Sequence, residues 1–163
     1  MLVRENLVTD DTFLLELLNT TPVIDGSQQD TLGRDWMRAH GGTGSAGELA
    51  ATREARDVLQ EIARGADGSS LGPLLEGVRR LPSAHAHGIE WELEVEPVRR
   101  PAVRAVLAWD ELRRTSPGRL RPCANTDCRL FLIDRSKPNN ARWCSMAVCG
   151  NRMKARRHYQ RNR

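Results

Sequence analysis

Apolar residues recur at helical spacing near the start of the chain. Phe13, Leu14, Leu17 and Leu18 share one face of "TFLLELLNT", with Asp10 or Asp11 placed to cap it, which predicts a first helix. "TTPVIDGSQQ" breaks the pattern, and Leu32, Trp36 and Ala39 predict a short second helix ending at Gly41-Gly42. Ser45 and Glu48 form an S-x-x-E capping box. They open a helix over about Ala46 to Arg64 that turns Leu49, Leu59 and Ile62 inward. Leu71, Leu74, Leu75, Val78 and Leu81 predict another helical stripe, with Pro73 near its start. The period then changes to two. In "IEWELEVEP", Ile89, Trp91, Leu93 and Val95 alternate with Glu90, Glu92, Glu94 and Glu96, which predicts a half-buried strand, with "SAHAH" as its hairpin partner. "PAVRAVLAWDELRR" returns to helical spacing.

These elements predict an α+β chain with a mainly helical N-terminal domain (1–115) carrying a small β-hairpin. "TSPGRLRP" (115–122) is the expected boundary to a second module over 121–163. No apolar run approaches the ~20 residues of a membrane-spanning helix. The start "MLVRENLVTDDT" has no apolar core of a signal peptide, so a cytoplasmic protein is expected.

Charge sharpens the division. From Arg113 to Arg163 there are 14 basic residues and two acidic ones, Asp127 and Asp134. That part carries +12 and the rest −8, within a total of +4. Such a split points to a polyanion-binding end joined to a domain of another kind.

All four cysteines lie in the basic part, as C-x4-C, fifteen intervening residues, and C-x4-C. Two short cysteine pairs separated by a hairpin-sized stretch suit a tetrahedral four-thiolate site. One structural Zn²⁺ is the expected ion, with no position left for a catalytic water. Disulfides are rare in the cytosol; iron–sulfur ligation stays open on spacing alone. "RLFLID" and "ARWC" read as two strands turned by "SKPNN", with Phe131, Ile133 and Trp143 as a small core. The second cysteine pair then leads into a basic helix. There Arg152, Lys154, Arg156, Arg157 and Arg161 are candidate nucleic-acid contacts, together with Arg142. His158 or Tyr159 is expected to pack back on the module. The bland reading is a solvated charged helix, with some arginines near the cysteines only offsetting thiolate charge.

"LFLIDRSKPNNARWCSMAVCGNRMKARRHYQR" resembles the CGNR zinc finger, a family named for the tetrapeptide at Cys149-Gly150-Asn151-Arg152. The paired "CANTDC" and "CSMAVC" share the resemblance. It implies zinc at Cys123, Cys128, Cys144 and Cys149 in a treble-clef-like module, and DNA binding by that module. Family members often carry an arginine pair before the Trp; here Ala141 and Arg142 stand there, which weakens any contact role at position 141. "FLLELLNT" with "DTLGRDWMRAHG" resembles the ABATE domain that precedes such fingers, in chains described as stress-induced transcription regulators.

Asn19, Asp30, Asp35 and Trp36 are candidate contacts for a small-molecule effector. Each also has an ordinary role as helix end, cap or core residue. His85 and His87 lack further metal-ligand partners. With no Ser/His/Asp set, P-loop or G-x-G-x-x-G, an enzyme is not expected. The expectation is a DNA-binding transcriptional regulator whose N-terminal domain senses a ligand or assembles a homodimer. RNA binding, or a protein-interaction adaptor with a structural zinc, is the alternative.

Overall fold

The computed structural model describes residues 10–161. Residues 1–9, where a leader was sought, and the last two residues of the basic tail lie outside them. Elements run α1 (Asp11–Leu18), β1 (Val23–Ile24), β2 (Ser27–Gln28), α2 (Arg34–Ala39), α3 (Ala46–Ala63), α4 (Gly72–Leu75), β3 (Arg79–His85), β4 (Gly88–Glu94), α5 (Arg100–Thr115), β5 (Leu120–Pro122), β6 (Phe131–Ile133) and α6 (Asn151–Arg161). The content is mixed, with helices dominant and three separate two-stranded antiparallel sheets.

The periodic faces read from the sequence build the core. Phe13, Leu14, Leu17 and Leu18 of α1 are buried against Ala55 and Leu59 of α3 and Ala105, Val106 and Leu112 of α5. The cap of α3 forms as its sequence predicts, with Ser45 accepting from the Glu48 N–H at 3.3 Å. The Glu48 carboxylate reaches further back than a capping box requires. It accepts the Thr43 and Gly44 N–H groups, each at 2.7 Å, and so closes the loop before the helix. Asp10 precedes α1 but directs its carboxylate to Arg104 of α5, whose guanidinium lies over the Phe13 ring.

Two expectations fail between residues 71 and 95. The helical stripe stops at Leu75. Gly77 follows at φ +73°, a left-handed conformation that ends a helix, and Leu81 belongs to β3 instead. The alternating strand does form β4 and pairs with β3 from Arg79↔Glu94 to His85↔Gly88. Its apolar side is covered only in part, however: Leu93 and Val95 are half-buried, whereas Ile89 and Trp91 are 65% and 61% exposed. Among the described residues, the hairpin makes no substantial packing contact with another element. Period two specifies which residues share a face, not that a core lies beneath it.

A polar tie joins α3 to the loop between β2 and α2. Arg56, 4% exposed, gives Nη1 and Nη2 to the Asp30 carboxylate at 2.7 and 3.1 Å, and Nη1 also reaches the Thr20 hydroxyl. Burial raises the Asp30 pKa, but the Arg56 guanidinium and the Leu32 N–H outweigh it and hold the carboxyl below its ordinary value. A depressed folded pKa contributes stability above the unfolded value of ~4 and loses it as pH falls through the folded value. Asp30→Asn should therefore cost about 2 kcal/mol at pH 7, less than a fully buried pair because Asp30 is partly exposed. Urea unfolding of both proteins should show that gap closing below about pH 4, as Asp30 becomes neutral in the wild type too.

Candidate metal centre

The strand β6 pairs with β5, in register Leu120↔Ile133, Arg121↔Leu132 and Pro122↔Phe131. The expected partner was "ARWC". That stretch is irregular instead, and its Arg142 carbonyl accepts the Ala124 N–H at 2.8 Å. The competing strand won because Leu120, Phe131 and Ile133 can all reach the helical core. Between β6 and the second cysteine pair, the buried Asp134 carboxylate gathers the turn. It accepts from the Ser136 and Ala141 N–H groups at 2.8 and 2.7 Å and from Arg121 at 2.9 Å. The Ser136 hydroxyl, first among these donors, keeps the Asp134 pKa low.

Cys123 follows β5 directly, and its N–H donates to the Leu130 carbonyl at 2.8 Å, keeping the two strand ends together. Asn125, fully buried, folds the first cysteine loop: its carbonyl accepts the Cys128 N–H, and its side-chain oxygen accepts the Asp127 N–H at 3.2 Å. Ser145 caps the second loop by accepting from the Val148 N–H at 3.3 Å. A wide turn over Met146–Gly150 follows, closed by the Gly150 N–H on the Ser145 carbonyl, and runs straight into α6. Glycine at position 150 lets Met146 and Trp143 pack closely against the turn. A Cβ there would lie 2.8 Å from the Met146 sulfur and 3.2 Å from the Trp143 ring.

The four cysteine sulfurs all lie within 4.8 Å of one another. Cys128–Cys144 and Cys144–Cys149 are 3.7 Å apart, far beyond a disulfide bond. A tetrahedron with metal–sulfur bonds of about 2.3 Å has edges of about 3.8 Å, so the arrangement suits one tetrahedral ion. N–H donors support the sulfurs: Asn125 Nδ2 to Cys149 and the Cys144 N–H to Cys123, each at 3.4 Å. Burial pushes the Cys128 and Cys144 thiols up; it opposes ionisation of Cys149 as well, yet the Asn125 N–H and the neighbouring thiols hold Cys149 below its ordinary value. The sequence reading missed Asn125. Its signal was an amide inside "CANTDC", where a short side chain can fold the loop and still reach a sulfur.

Residues 119–162 match the CGNR zinc finger. The matched segment contains all four cysteines and the whole of α6. No curated protein matches the chain.

The finger is not isolated from the helices. Phe131, 1% exposed, belongs to the same core as α1, α3 and α5, with Leu120 and Ile133 beside it. The miniature core expected around Phe131, Ile133 and Trp143 is therefore shared out differently. Asn19 is central to this junction. Its Oδ1 accepts the Phe131 N–H at 2.7 Å and its Nδ2 donates to the Phe131 carbonyl at 3.2 Å, as a neighbouring strand would. Arg64 of α3 lies over the Phe131 ring, 4.7 Å from its centre.

The other predicted residues scatter. Trp36 stacks on His40 with ring centres 3.8 Å apart, whereas the Asp35 side chain is fully exposed and meets only Arg38, at 3.9 Å. Asn19 meets Phe131 of β6, away from Asp35. A polar cleft of about 490 Å³ lies elsewhere, lined by Thr21, Asp30, Arg56, Gln60 and Arg64 with Arg129 of the finger. None of Arg121, Arg129, Arg142 and Arg152 donates to a cysteine sulfur among the described residues; Arg121 serves Asp134, and Arg142 lies over the Trp143 ring. On α6, Met153 alone is partly covered, and Arg152, Lys154, Arg156, Arg157 and Arg161 are exposed. Tyr159 is 73% exposed and His158 meets it edge-on, so neither packs back on the module. Arg156 reaches Asp127 at 3.4 Å; it is the one α6 cation with an ion pair among the described residues.

Proposed function

We propose that this chain is a zinc-dependent, DNA-binding transcriptional regulator. The observation that carries the reading is α6. Five cations stand exposed on a helix that runs directly on from the turn holding Cys149, with a single acidic partner among the described residues. Exposed guanidinium groups fixed on a rigid element suit phosphate contact, and arginine can also read guanine in a major groove. Zinc is the ion that suits four thiolates at these separations, in a treble-clef-like module whose role is structural. The N-terminal domain, ABATE-like in its first motifs, is assigned to sensing or assembly. Its polar cleft, bordered by Arg129 of the finger, is the place for a small-molecule effector. No helix among the described residues is long and apolar enough to cross a membrane.

Fluorescence anisotropy of zinc-loaded protein on random duplex DNA tests the reading. Affinity should fall with salt at a log–log slope of about −4, as expected for four to five phosphate contacts. An RNA hairpin at equal salt should bind more weakly. Tighter RNA binding would reassign the surface to RNA. No binding to either probe at low salt would sink the nucleic-acid reading and leave a protein-interaction scaffold.

A further inference from the structure

Among the described residues, nothing covers Ile89 and Trp91 on one face of the β3–β4 hairpin. Its register puts Ala84 with Ile89, Pro82 with Trp91 and Arg80 with Leu93 on one side. The reverse side carries Glu90, Glu92 and Glu94 opposite Ser83, Leu81 and Arg79, so its one apolar side chain, Leu81, lies among charges. Ile89 and Trp91 are 65% and 61% exposed, and no helix packs beneath them. A lone two-stranded hairpin is marginal in water and needs packing on one face.

Charge and backbone chemistry limit what that cover can be. Another strand is poorly accepted at either edge. Pro82 removes an N–H in the middle of β3, and a second β4 would set glutamates opposite glutamates. Nucleic acid is repelled by the three glutamates, and a basic partner is drawn to their side rather than to Trp91. The apolar face bears one charge, Arg80. Its match is a largely apolar strip of the same size, and the face itself is such a strip, with its one charge near the end away from the turn. We propose that two copies of this chain pair through it, face to face about a twofold axis crossing the strands at the Pro82–Trp91 rung. That rung is the fourth of seven. The axis stacks Trp91 on Trp91 of the partner subunit. It leaves every glutamate facing solvent and separates the two Arg80 side chains to opposite ends, about 13 Å apart along the strands. The inference stands on the hairpin alone, whatever α6 binds.

One hairpin face is smaller than the ~800 Å² per partner of a standard interface, so a dissociation constant of about 1–100 µM is expected. Sedimentation velocity of the full, zinc-loaded chain without nucleic acid should show the mass rising from one chain to two with concentration. Trp91→Glu should weaken association at least tenfold, and Trp91→Phe should keep it. Trp91 is exposed, so helical circular dichroism should be unchanged; if Trp91→Glu loses it, Ile89→Lys, at another exposed position, replaces that variant. A single-chain mass at every concentration overturns the proposal, as does undiminished pairing in the folded charge variant.

Discussion

Removing the metal is expected to unfold the helices as well as the finger. Cys123 directly follows β5, and Cys128 lies two residues before Leu130, which receives the Cys123 N–H. An ion bound by the four cysteines would therefore hold together the two strand ends that present Phe131 to the helical core. Phe131 is 1% exposed within that core and Asn19 clamps its backbone, so releasing the hairpin opens a large cavity. Emptying a phenylalanine site alone costs about 3–5 kcal/mol. A structural zinc contributes about 10–16 kcal/mol of apparent binding energy, comparable to the whole stability of a domain. If only ~4 kcal/mol reaches the core, the melting temperature should fall by about 8–16 °C. Thermal melts followed at 222 nm, with a strong chelator or with Cys149→Ser, should show one transition moved down. A helical transition that stays in place while the finger melts separately would show that the two parts do not fold together. Phe131→Ala in loaded protein should reproduce much of the shift.

That coupling was not legible in the sequence, and the reason is distance. The metal site was read from spacing, because each cysteine pair is local and the sulfur chemistry demands four ligands. The α3 cap was legible for the same reason, with Ser45 and Glu48 three residues apart. Asn19 and Phe131 are 112 residues apart, and nothing local in "LLNT" announces that its amide will complete a strand. The pairing of β6 was ambiguous, since apolar residues flank both candidate partners and only the helical core decides between them. The strand β4 shows the same limit from the other side: its alternation named the apolar face correctly and could not say that Ile89 and Trp91 would stay uncovered among the described residues. The basic helix lay between these cases. Its charges were visible in the sequence, whereas the exposure of Tyr159 and the Asp127 contact depend on how the first cysteine loop lies against α6.

Replacing Arg156 and Arg157 by Ala in folded, zinc-loaded protein should weaken duplex binding roughly 10–100-fold near 0.1 M salt and make the salt slope shallower by about 2. The two positions should not contribute equally. Arg156 already faces the Asp127 carboxylate at 3.4 Å, an exposed anion in the place a phosphate would take. A phosphate must displace that contact, whereas Arg157 has no ion pair to give up among the described residues. Arg157→Ala should thus be the more damaging single change. Asp127→Asn should tighten binding several-fold, by freeing Arg156 and removing one of the two negative charges in the basic part. Neither arginine is buried or bonded to a cysteine loop carbonyl, so melting temperatures should stay within a few degrees of wild type. If the double variant binds as tightly as wild type while Asp127→Asn changes nothing, the contact surface lies away from this face of α6. Arg142, fixed over Trp143 beside the second cysteine pair, would then be the next cation to test.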